Sequence, residues 1–95
     1  MSNETEKNNL MLEFGIQEQI ATAFKNILEL NTTQDLDIEN KDLSIDSQNI
    51  EYSKPSVGCH RFQTQILDNK NRNIGYYALV VSDTNEIIDE FFVTK

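Results

Sequence analysis

The chain has no tryptophan, one proline, three glycines and one cysteine among its 95 residues, and each scarcity closes off a class of protein. A lone cysteine, Cys59, cannot form a disulfide within the chain, so a disulfide-stapled secreted scaffold is excluded and a reducing, cytoplasmic setting is expected. The longest unbroken aliphatic stretch, Ala78-Leu79-Val80-Val81, is far short of the ~20 residues that cross a bilayer as a helix. The opening MSNETEKNNLML has no basic segment leading into an apolar one, so no secretory signal is expected. Basic residues are few: 8 Lys and Arg stand against 16 Asp and Glu, for a net charge of −8. Nucleic acid and anionic membrane surfaces attract basic patches, so neither is expected as a partner.

The excess charge is uneven. Residues 1–52 hold 11 acidic and 3 basic residues, whereas residues 53–95 hold 5 of each. A chain of this length forms one domain with a small core. Residues 1–8 are polar and predict a flexible N-terminal arm, with a single α+β domain over 9–95.

From Asn9 to Leu30 the spacing is helical. Ile16, Ile20, Ala23, Phe24, Ile27 and Leu28 recur three and four apart, which predicts one amphipathic helix with a broad apolar stripe. Gly15 weakens its start, and Asn31 suits a left-handed stop. Residues 34–54 carry DLDI, DLSI and NIEY at intervals of seven. Their apolar residues lie two apart, the spacing of strands and not of coiled coils, so short edge strands are expected. Lys54 to Gly58 reads as a bend.

Three extended runs follow: CHRFQTQIL, IGYYALVVS and EIIDEFFVTK, separated by DNKNRN and DTN. β-branched and aromatic residues dominate the second, the expected central strand. Asp83-Thr84-Asn85 predicts a tight hairpin with Asn85 left-handed. The fold class is therefore α+β: one N-terminal helix packed on a curved antiparallel sheet of about four strands. That order of elements resembles, in outline, the cystatin-like and nuclear-transport-factor-like architectures. Cystatins hold proteases with a Gln-Val-Val-Ala-Gly loop, and the nearest fragment here, Gln63-Thr64-Gln65-Ile66, falls inside a predicted strand.

No constellation supports catalysis, and no enzymatic role, cofactor or metal is expected. Cys59 and His60 are adjacent on a strand and point to opposite faces, so they form no nucleophile–base pair. Asp35, Asp37, Glu39 and Asp46 fit positions of a calcium loop, but Asn40 stands where that loop requires glycine. With Asp42 these four make a candidate acidic face. Asp89-Glu90 and the Lys70/Arg72 turn read as solvated charges.

The aromatic pairs Tyr76-Tyr77 and Phe91-Phe92 put one ring on each face of the meander. A single helix covers one face. The other needs residues 34–54, a ligand or another chain, so these four residues are the candidate partner-binding set. The expected function is a small acidic binding or assembly protein acting through protein–protein contacts, as a homodimer or by docking a partner on the sheet. Two alternatives are an acidic neutraliser of a basic protein, of the immunity or antitoxin type, and a small-molecule binder with a pocket lined by Phe24, Tyr76 and Phe92.

Overall fold

The structure is a computed structural model that describes residues 3–94. Its N-terminal half is helical, with α1 at Asn3–Phe14, α2 at Ile16–Leu30 and a single turn, α3, at Thr33–Leu36. Five strands follow: β1 Ser44–Ile45, β2 Glu51–Ser53, β3 Cys59–Leu67, β4 Asn73–Ser82 and β5 Ile87–Thr94. All are antiparallel in one open sheet of order β1-β3-β4-β5, with β2 also on β3. The expected α+β class holds, with helices packed on one side of the sheet.

The one helix expected at 9–30 is two. Gly15 adopts φ +58, a left-handed value that ends α1 and starts α2 in a new direction. The arm expected at residues 1–8 is also different: residues 1 and 2 lie outside the described residues, and 3–8 are the first turns of α1. α2 carries the stripe read from the sequence. Ile16, Ile20, Phe24 and Leu28, four residues apart, are all buried. Asn31 stops α2 in an extended conformation, not a left-handed one, and its side-chain Nδ2 donates to the Ile27 carbonyl at 2.9 Å.

DLDI is not a strand. Thr32 and Asp35 form a reciprocal capping box that winds residues 33–36 into α3. DLSI and NIEY do supply β1 and β2, which lie one after the other along the same edge of β3.

The two long hairpins share one design. Asn71 and Asn85 are left-handed at φ 60 and 65, each fourth in a five-residue turn, 68–72 and 82–86. In both, the first residue's N–H donates to the fifth residue's carbonyl, Asp68 to Arg72 and Ser82 to Glu86. In both, that first residue's side-chain oxygen also accepts from the third and fifth N–H groups. Asn fills the position where such three-residue hairpin loops ordinarily take glycine.

The core lies between the helices and one face of the sheet. Phe62, Ile66, Tyr77, Leu79 and Val81 meet the α2 stripe there, joined by Ile50. Phe24 is its hub, edge-on to Tyr77 at 5.5 Å and stacked with Phe92 at 5.9 Å. Ile74, which strict alternation along β4 would put on the face of Ala78 and Val80, packs instead toward this core. The register slips between Ile66 and Leu67, and the extra residue turns Ile74 to the other side.

Candidate interaction surface

Residues 34–54 settle on the helix side. Ile45 pairs with Ile66, Tyr52 with Phe62, and Leu36, Ile38, Leu43, Ile45 and Tyr52 pack against the same core. Lys7 of α1 and the Gln48–Asn49 loop reach a pocket beside Gln63, Gln65 and Tyr76; the rest of the second face is left to the sheet's own side chains. Strand pairing places Arg61, Gln63 and Gln65 of β3, Tyr76, Ala78 and Val80 of β4, and Asp89, Phe91 and Val93 of β5 on that face.

Ala78 and Val80 are buried, yet they do not belong to the core cluster. Arg61 is the residue laid over them. Its guanidinium sits 4.9 Å from the Phe91 ring centre and 5.8 Å from that of Tyr76, and its Nη2 donates to Gln63 Oε1 at 2.9 Å. Arg61 forms no ion pair among the described residues. The stem of the arginine shields apolar surface while its charge rests on two rings.

The four candidate aromatics thus divide. Tyr76 and Phe91 are half-buried on the outer face, while Tyr77 and Phe92 lie on the helix side against Phe24. Tyr77 is fully buried, and its hydroxyl donates to Glu90 Oε2 at 2.7 Å. Burial, and then the Glu90 carboxylate, push that phenol far above its ordinary range. Phe24, Tyr76 and Phe92 share no pocket, because Tyr76 is across the sheet from the other two.

The sheet's two edges are unlike. β1 and β2 close the β3 edge with short pieces, whereas β5 has no strand on its outer side among the described residues. Of six large apolar residues left exposed among the described residues, three are on β5: Ile87, Ile88 and Val93. The other three, Leu12, Leu30 and Val57, lie far apart in sequence, so β5 is where exposed apolar surface concentrates. A register shift between Val80 and Val81 leaves Ile88 as an extra residue, and from Asp89 to Thr94 the ladder is regular.

The residues of the candidate acidic face each have local contacts. Asp35 caps α3, Asp37 ends it, and Asp42 N–H donates to Asn40 Oδ1. Asp46 accepts from Asn49 Nδ2 at 2.8 Å, and its carbonyl accepts from the Thr64 hydroxyl. Glu39 lies on a shallow pocket with Asp37, Asp68 and Arg72. Among the described residues, no three His, Cys, Asp or Glu side chains converge where a metal ion could sit.

One cluster escapes sequence reading. His60 is buried, with Nε2–H donating to Asp83 Oδ1 at 2.6 Å and Nδ1 sharing a 2.7 Å hydrogen bond with the Tyr52 hydroxyl. Burial, and then Glu6, raise the Tyr52 phenol to about 12. Glu6 also pairs with Lys54 at 3.1 Å. The chain Tyr52–His60–Asp83 ties β2, β3 and the β4–β5 turn together, and the Glu6–Lys54 ion pair holds α1 beside them. Both ring nitrogens are thus engaged by side chains of the fold. No sequence signal marks the cluster, since its members lie 8 and 23 residues from His60.

No helix among the described residues is long and apolar enough to cross a membrane. Comparison with protein-family models, with curated proteins and with solved structures finds no match for this chain.

Proposed function

We propose that the protein is a non-enzymatic interaction module that docks a protein partner on the free side of its sheet, in a cytoplasmic setting. One observation carries this reading. Helices and residues 34–54 pack mainly on one face, leaving most of the other face and the β5 edge to Tyr76, Phe91, Val93, Ile87 and Ile88. Exposed apolar surface gathered on one element of a soluble protein is a usual mark of a contact site. Aromatic residues with an arginine between them also match the anchors that dominate protein interfaces.

The test is capture of a partner from source-cell extract at physiological salt, followed by binding of that purified partner to variants. A Tyr76→Ser/Val93→Ser variant should bind about tenfold more weakly or worse, the scale of losing a central anchor. Leu30→Ser, at an exposed site on α2, should bind like the parent. Equal binding by both variants would refute docking on the sheet. Light scattering of the protein alone, run alongside, shows whether the partner is a second copy.

A further inference from the structure

We infer that the β5 edge accepts an extended segment of a partner as a further strand, and that this segment carries two adjacent basic residues flanked by apolar ones. This rests on the reading that the free side of the sheet docks protein, and it adds the partner's chemistry and geometry. β5 is eight residues long, and the N–H and C=O groups that alternate residues direct outward meet no other strand among the described residues. Such an edge is a template for strand addition, in which main-chain hydrogen bonds supply affinity and alternate side chains supply selectivity.

Charge selects the occupant. Residues 83–94 hold four acidic residues, Asp83, Glu86, Asp89 and Glu90, and no basic one. Glu18 adds a fifth carboxylate on the groove beside Ile87. Asp89 pairs with Val80 and so lies on the outer face, whereas Glu90 pairs with Leu79 and lies on the helix side, where the Tyr77 hydroxyl holds it. A strand added to β5 meets these two carboxylates on opposite faces at successive positions. Two successive Lys or Arg residues satisfy both, because neighbours on a strand also point to opposite faces. Apolar residues on either side of that pair cover Ile87 and Ile88 at one end and Val93 at the other.

A second copy of the chain fits poorly. Two β5 strands paired antiparallel about a two-fold axis normal to the sheet place one residue opposite itself. Centred on Asp89 or Glu90, that pairing opposes like charges directly. Centred on Phe91, it still aligns two segments whose charged side chains, Asp89 and Glu90, are both acidic. The acidic pair and the bulge at Ile88 guard the edge against its own kind and leave it open to a basic strand.

The experiment uses the whole chain and two end-blocked eight-residue peptides that alternate valine and threonine. One has a central lysine–arginine pair and the other a central glutamine pair. Each is titrated to millimolar concentration while backbone amide shifts and hydrogen exchange are followed. The basic peptide should slow exchange of β5 amides and bind about tenfold more tightly than the glutamine peptide, in the range measured for close interfacial charge pairs. Its advantage should vanish in Asp89→Asn/Glu90→Gln, whose fold is checked by its melting midpoint. Equal affinity of the two peptides, no binding of either, binding without protection of β5 amides, or a β5-paired dimer in light scattering would each overturn the inference. The wider reading stands or falls separately, on whether the captured partner loses affinity for Tyr76→Ser/Val93→Ser.

Discussion

Phe24 is the side chain through which α2 holds both the central strand and the edge strand. It is 4% exposed, meets Tyr77 edge-on at 5.5 Å and stacks on Phe92 at 5.9 Å. Truncation to alanine removes a buried ring and leaves a cavity between helix and sheet, a change that costs about 3–5 kcal/mol. The whole domain is stabilised by about 5–14 kcal/mol at the usual yield per residue. Phe24→Ala should therefore lower the melting midpoint by roughly 15–30 °C. Phe24→Leu keeps most of the apolar burial and loses two aromatic contacts worth about 0.5–1.5 kcal/mol each. It should fall about midway between parent and alanine variant. Urea unfolding followed by circular dichroism measures all three, with Val57→Ala, fully exposed, as a neutral control. An alanine variant destabilised by less than about 1 kcal/mol would refute the placement of Phe24 at the centre of the core, where losses of that kind are several-fold larger. A leucine variant as unstable as the alanine one would refute the view that burial dominates over aromatic geometry.

Three further outcomes follow from particular contacts. Tyr77→Phe keeps the ring and removes the hydroxyl that donates to Glu90, so unfolding should become easier by about 1–2 kcal/mol, the scale of a hydrogen bond to a charged group reduced by the exposure of Glu90; no change would show that the bond is not held in solution. Tyr52 and Tyr77 both keep their phenolic protons more tightly when folded, Tyr52 to about 12, so their contribution is complete below the unfolded phenol value near ~10 and is lost as pH rises above it. Melting midpoints from pH 8 to 12 should show that alkaline decline, reduced in Tyr52→Phe, and an identical decline in the variant would contradict it. A β-carbon at Gly75 would lie 1.9 Å from the Val93 carbonyl oxygen, so Gly75→Ala should displace the end of β5, read as faster amide exchange at 92–94 than in the parent; unchanged exchange there would refute the close approach.

Much of the fold is legible in the order of the residues. The alternation of Phe62, Thr64 and Ile66, the β-branched run into Val81 and the Asn-centred turns are local patterns, and each acts within a few residues. The α2 stripe was equally plain. The missed elements were contests between neighbours of similar strength. Gly15, by propensity only a weak helical residue, is a left-handed break. Leu36 and Ile38 looked like a strand, but the Thr32–Asp35 capping box, a signal present in the sequence, made a helical turn.

The candidate surface was half legible. The paired aromatics required one ring per face, since strand neighbours alternate, and the structure has Tyr76 and Phe91 on one and Tyr77 and Phe92 on the other. Which face would be covered was not a local matter. It depended on residues 34–54 folding back to the helix side, on Arg61 lying across Phe91 and Tyr76, and on β5 being the last strand of the sheet. The His60 cluster is of the same kind, drawing Tyr52 and Asp83 to one buried ring. The helical stripe, the long strands, the hairpin turns and the acidic bias follow from period, propensity and charge, which act over short spans. Which edge stays open and which face stays bare depend on pairings between distant segments, set by register, bulges and the closure of the loops between them.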